Sequence, residues 1–172
     1  MLVVDMYPWT IPLPKLTPQP LVELIFKDER VATRICKVVK RANELGMPVF
    51  MCRNQCMKYH PRVEAAAGEG AYKFNKAEPD AFKDVSFTSE LEARRVENLI
   101  IVGFHRSACV METSMGALRN SLGVITSYRL MYGEYSMKGE FRKTLGFYLK
   151  NTQHYFSLGR LARKMRELSG SP

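Results

Sequence analysis

No stretch of this 172-residue chain approaches the roughly 20 consecutive apolar residues needed to cross a bilayer, so no membrane-spanning helix is expected. The opening residues, Met1-Leu2-Val3-Val4, carry no basic segment and meet Asp5 at once, a start that fits no secretory leader and points to the cytoplasm. Cysteines number only four, Cys36, Cys52, Cys56 and Cys109, at irregular spacing; this argues against a disulfide-stapled scaffold and for reduced thiols. Staples are not needed at this length, where roughly two-thirds of the unfolded chain's surface can be buried, and one domain over residues 1–172 is expected. There is no internal repeat and no low-complexity tract. Acidic residues are in short supply, 17 Asp and Glu against 26 Lys and Arg, for a net charge of +9.

That excess raises nucleic acid as a partner, a reading that requires the charge to cluster. Clustering is partial. From Lys138 onward eight basic residues stand against only Glu140 and Glu167, which leaves the preceding part of the chain nearly balanced. Lys and Arg on a terminal helix commonly cover apolar packing, and no aromatic stacking motif or glycine-basic signature accompanies them here. A nucleic-acid partner is therefore not expected.

What the sequence does contain is an alternation of short apolar runs and helical patterns. Leu2 to Met6 reads as a buried strand, followed by a loop from Tyr7 to Pro20 that holds Pro8, Pro12, Pro14 and Pro18. Leu21 to Leu45 is helical by its apolar spacing and is closed by Gly46. Pro48 to Arg53 is a second strand, with a polar loop through Gly70 after it. A short helix follows at Ser89 to Arg95, and Asn98 to Phe104 is the clearest buried strand of all. Ser107 is placed to cap a helix running to Leu122, stopped by Gly123. Val124 to Arg129 reads as a strand, Ser136 to Lys150 as a helix, Tyr155 to Leu158 as a last short strand and Gly159 to Leu168 as a last helix. Strands alternating with helices predict an α/β fold: a three-layer α/β/α sandwich, Rossmann-like, around a mostly parallel sheet.

Ligands in such sheets bind beyond the carboxyl ends of the strands. Asp5 stands there after the first strand, and the Phe104 to Cys109 loop stands there after the strongest one; if those strands are neighbours, carboxylate and thiol converge. Cys109 falls in the first turn of the predicted helix, beside His105 and Arg106. A helix amino end and nearby cations favour thiolate over thiol, which makes Cys109 a candidate nucleophile with backbone N–H groups beside it as a candidate oxyanion hole. The competing reading is a small buried hydrophobe in a helix-sheet contact.

Three features in this order resemble the isochorismatase-like cysteine hydrolases, the group that includes nicotinamidases and N-carbamoylsarcosine amidohydrolases. They are the opening Leu2-Val3-Val4-Asp5-Met6, the Lys76-Ala77-Glu78-Pro79-Asp80-Ala81-Phe82 segment, and the strand, loop, Cys-Val and helix of Leu99 to Ala117. The resemblance implies a Cys-Asp-Lys triad in which Cys109 attacks an electrophilic carbon, Asp5 moves the proton and Lys76 holds Asp5 and the thiolate by its charge. It also implies an oxyanion hole from the backbone N–H groups of His105 and Cys109, with a cis His105-Arg106 peptide in the loop. Lys73 is the rival to Lys76, which is preferred for its spacing to Phe82. Amide-type hydrolysis of a small molecule, no cofactor and a homo-oligomer, dimer or tetramer, follow from the same likeness, with the Gly159 to Leu168 helix as a candidate interface.

The chain also departs from the family pattern. Arg106 stands where threonine is common, and there it either binds a carboxylate on the substrate or fills the pocket, giving a catalytically silent relative that acts as a binding or scaffold protein. Tyr7-Pro8-Trp9 stands where a polar residue is common, with Tyr7 and Trp9 as possible pocket walls. No Asp-x-His pattern follows the second strand, which makes nicotinamide a poor substrate. Cys52-x3-Cys56-x3-His60 lacks a fourth ligand for zinc, so no metal is expected; Cys56 and His60 read better as substrate contacts.

Overall fold

A computed structural model describes residues 1–4, 18–55, 57–133 and 138–170, apart from the side chains of residues 18–28 and 138–141. In chain order the elements are β1 (Leu2–Val4), α1 (Pro18–Glu44), β2 (Phe50–Asn54), α2 (Pro61–Ala67), β3 (Tyr72–Lys76), a 3-10 turn (Ala81–Lys83) and α3 (Val85–Ala93). They continue with β4 (Asn98–Gly103), α4 (Cys109–Arg119), β5 (Gly123–Met131), α5 (Lys138–Asn151), β6 (Gln153–His154) and α6 (Leu158–Ser169). The six strands form one sheet in the order β3-β2-β1-β4-β5-β6, every pair parallel. Helices cover both faces, the three-layer α/β/α arrangement that the alternating pattern predicts.

Side-chain alternation along the strands builds two cores. Val3, Met51, Ile100, Val102 and Ile125 point to one face, where Ala32, Ile35 and Val39 of α1, Val63 of α2 and Leu161 and Met165 of α6 meet them. Leu2, Val4, Phe50, Cys52, Leu99, Ile101 and Val124 point to the other, against Phe87 and Leu91 of α3, Val110 and Ala117 of α4 and Tyr148 of α5. Strand order reverses between β1 and β4, and the crevice above their carboxyl ends is where this architecture places ligands.

Several boundaries differ from the sequence reading. α1 begins at Pro18, inside the expected loop, because proline in a first turn loses no intrahelical bond. The polar loop through Gly70 contains α2, started by Pro61 and held by buried Val63, Ala66 and Ala67. β3 was not expected; it is an edge strand whose alternation of half-buried Tyr72 and Phe74 with exposed Lys73 and Asn75 is too short for a strong pattern. The last strand is Gln153–His154, not Tyr155 to Leu158, because Ser157 accepts a hydrogen bond from Arg160 N–H and starts α6. Leu161 and Met165 of α6 lie in this chain's own core, and exposed Arg160, Arg163 and Arg166 form the outer side of the helix.

Candidate active site

One residue sets how closely the ends of β1 and β4 approach. Gly103 pairs with Val4, and Phe104 N–H donates to the Val4 carbonyl at 3.0 Å. A Cβ on Gly103 would drive into that carbonyl oxygen, and its φ of 140° lies outside the range of L side chains. Glycine thus lets the end of β1, which leads directly into Asp5, abut the start of the loop to Cys109. Asp5 itself, with Tyr7 and Trp9, lies outside the described residues.

The loop then turns through His105, which takes a left-handed φ of 57°. Peptide bonds among the described residues are all trans, so the expected cis His105-Arg106 bond is absent. The left-handed residue supplies the turn instead, at roughly 1–2 kcal/mol, less than a non-proline cis bond costs. Ala108 N–H and Val110 N–H donate to the His105 carbonyl at 2.9 and 3.1 Å, and Arg106 N–H donates to the Tyr132 carbonyl at 2.8 Å. Ser107 does not cap α4: the N-cap is Ala108, whose side chain makes no capping hydrogen bond, and Cys109 is the first helical residue. Its half-buried thiol packs against the second core and is not disulfide-bonded.

Lys76 ends β3 and is 1% exposed. Its ammonium donates to the carbonyls of Glu78 and Pro79 at 3.1 and 3.2 Å. Lys73 is exposed and paired with Glu64 at 2.7 Å, an ordinary surface lysine. The segment after Lys76 is fastened to the cysteine helix. Thr113 of α4 accepts from Ala81 N–H at 3.1 Å and donates to the Pro79 carbonyl at 3.3 Å. Asp80 accepts from Phe82 N–H at 3.0 Å and pairs with Arg119 of α4 at 2.7 Å. Gly116 leaves room for that carboxylate, which a Cβ there would strike. One set of contacts therefore ties the Lys76 segment to the helix that begins with Cys109.

The isochorismatase domain family model matches residues 1–126, most of the chain, including β1, the Lys76 segment, the loop to Cys109 and α4. The chain belongs to the isochorismatase family. No curated protein matches it significantly in sequence. Solved structures agree in fold. An isochorismatase-like hydrolase from Alkaliphilus metalliredigens is similar at TM-score 0.75 and 15% identity, over 95% of this chain and 96% of that one. A nicotinamidase from Staphylococcus aureus is similar at TM-score 0.68 and 20% identity, over 90% and 96%. A MAR1 ribonuclease from Caenorhabditis elegans is similar at TM-score 0.73 and 13% identity, over 99% and 83%.

Within this isochorismatase-family chain the other site candidates separate. Arg106 turns toward β5, its guanidinium carbon 3.8 Å above the centre of the Tyr128 ring. Burial lowers the Arg106 pKa and raises those of Tyr128 and Tyr148, an effect that the Arg106 charge opposes on both tyrosines. His60 precedes α2 and is 3% exposed; its Nε2 lies 3.3 Å from Glu29 of α1, which also pairs with Arg62 at 2.6 Å. That contact ties His60 to the helix layer over the first core, whereas Cys52 belongs to the second, so the Cys52 and His60 spacing does not place both on one side of the sheet. Cys56 lies outside the described residues. Among the described residues no group of three or more His, Cys, Asp or Glu could hold a metal.

Sequence reasoning passed over Asp80, Thr113, Gly116 and Arg119, although Asp80 lies within the quoted Lys76 to Phe82 segment. Its position between Pro79 and a turn was the available signal, since Asp favours capping. Tyr128, Tyr132 and Tyr148 gave no local signal, because their role depends on which strand and helix flank the loop.

Proposed function

We propose that this protein is a cysteine hydrolase that cleaves an amide-type carbon-nitrogen bond in a small molecule, with the chain acting as one domain. The observation that carries this reading is the position of Cys109 as the first residue of α4, beside the strand end that leads into Asp5 and tied to the segment of buried Lys76. In the proposed reaction the Cys109 sulfur adds to the carbonyl carbon while Asp5 takes the thiol proton. The oxyanion is met by the backbone N–H groups of His105 and Cys109. Asp5 delivers the proton to the departing amine as the carbon-nitrogen bond breaks, leaving a thioester. It then takes a proton from water, whose oxygen attacks the thioester, and returns that proton to sulfur as the carboxylic acid leaves. Lys76 keeps Asp5 charged; a buried ammonium is stable beside such a partner. No organic cofactor enters these steps.

Two measurements test the proposal. Iodoacetamide should alkylate Cys109 rapidly at pH 6, as a thiolate held below the usual thiol range of about 8.5 does. Labelling that instead rises only toward pH 8.5 overturns the triad and leaves a silent relative. A panel of amides should then show turnover that Cys109→Ala abolishes. Because one structure of this fold is described as a ribonuclease, the panel includes a single-stranded RNA; RNA cleavage that survives Cys109→Ala would replace the amidase reading.

A further inference from the structure

We propose that the substrate of this site is an amide that also bears a carboxylate, and that Arg106 binds that carboxylate. The inference rests on the cysteine-hydrolase reading and narrows its substrate class. Arg106 stands three residues before the nucleophile and its backbone is held on both sides: its N–H donates to the Tyr132 carbonyl at 2.8 Å, and its carbonyl accepts from the Tyr148 hydroxyl at 2.7 Å. The side chain is positioned as well, its guanidinium carbon 3.8 Å above the Tyr128 ring centre. Gly133 keeps space beside the guanidinium, since a Cβ there would meet Nη2 at 3.0 Å and Nε at 3.3 Å.

Tyr128 belongs to an irregular part of β5. Ile101 pairs with Thr126 but Gly103 pairs with Met131, so four residues of β5 stand out of register between these pairs, a bulge of the kind that re-aims side chains at sites. The result is a half-buried guanidinium surrounded by tyrosines and a glycine. Arg41, Arg62, Arg94 and Arg119, all on the surface, each have a carboxylate at 2.6 to 2.8 Å. Arg106 has none among the described residues, although it is the arginine that burial penalises enough to lower its pKa. A cation withdrawn from water, fixed by a ring face and retaining planar donors, is preorganised to take a carboxylate through two parallel hydrogen bonds. The proposed nucleophile follows three residues later, at the end of the same loop, so one substrate molecule can engage both.

Iodoacetate and iodoacetamide deliver the same methylene to sulfur and differ in carrying a carboxylate or a neutral amide, so their rates at Cys109 separate anion recognition from thiol activation. Site-resolved mass spectrometry should show saturable labelling of Cys109 by iodoacetate, slowed by malonate, with a ratio of iodoacetate to iodoacetamide rates that falls about tenfold or more in Arg106→Gln. Arg106→Lys should retain part of the preference. Fast iodoacetamide labelling at pH 6, with an iodoacetate ratio indifferent to Arg106 and no protection by malonate, overturns this inference and leaves the hydrolase reading standing. Slow labelling by both reagents at pH 6 overturns both. If Arg106→Gln does not fold, saturation and malonate protection in the unmodified protein decide.

Discussion

At Gly103 a hydrogen in place of a methyl decides whether the strands leading to Cys109 and Asp5 can meet. Gly103→Ala forces a Cβ into the Val4 carbonyl at a φ of 140°, and urea unfolding should show a loss of roughly 3 kcal/mol or more. Cys109→Ala should by contrast change stability by about 1 kcal/mol or less, since the thiol is half-buried, while abolishing turnover. Lys76→Met retains the buried stem and removes the ammonium; turnover should fall roughly 100-fold or more with the fold retained, as measured by kcat and circular dichroism. His154 supplies the pH prediction. Its Nδ1 lies 2.8 Å from the Thr126 hydroxyl, its buried Nε2 has no hydrogen-bond partner among the described residues, and burial lowers its pKa below 6.5. The unfolded chain therefore takes up the proton first, so this contribution is complete above pH 6.5 and is lost as pH falls through the folded value. The urea midpoint should drop on acidification below pH 6.5, and His154→Asn should reduce that drop.

Among the elements, the attachment of the Lys76 segment to α4 is the most informative. Thr113→Val removes the acceptor of the buried Ala81 N–H while preserving shape, and should cost about 1–3 kcal/mol by denaturant unfolding. If the attachment also positions Lys76, the same variant lowers kcat more than it changes KM. The elements themselves were unequally legible. β1, β4 and β5 are buried on both faces and therefore form apolar runs, and α1 and α6 show helical spacing because each packs one side on the first core. α2 has only seven residues and β3 only five, and β3 is half-exposed at an edge; neither length nor burial imposes a pattern there. Ser107 misled because a residue suited to capping marks only a range for a helix start, and the backbone turn at His105 moved the start to Cys109.

For the whole molecule the +9 charge is expected to act as cover for apolar packing, as on α6, whose arginines lie outside a stripe buried in the core. Binding to single-stranded RNA should then appear at low salt and fade by 200 mM, the behaviour of loose phosphate contacts. Submicromolar affinity at physiological salt would show instead a nucleic-acid surface. Light scattering checks the homo-oligomer implied by the family likeness.

The sequence by itself determined the layered parallel fold, because strands sealed between helix layers must be apolar and their connections must be helical. It also singled out Cys109 as a candidate, from its place in the loop and helix start after the strongest strand, whereas Lys76 was singled out by the family likeness and its spacing to Phe82. Only the tertiary structure decided their surroundings: that Lys76 is buried and its segment attached to α4, that His60 meets Glu29 of α1, and that Arg106 lies on Tyr128 with no carboxylate partner among the described residues. Those outcomes depend on strand order, on the β5 bulge and on packing between residues distant in the chain, none of which leaves a local trace in the order of amino acids.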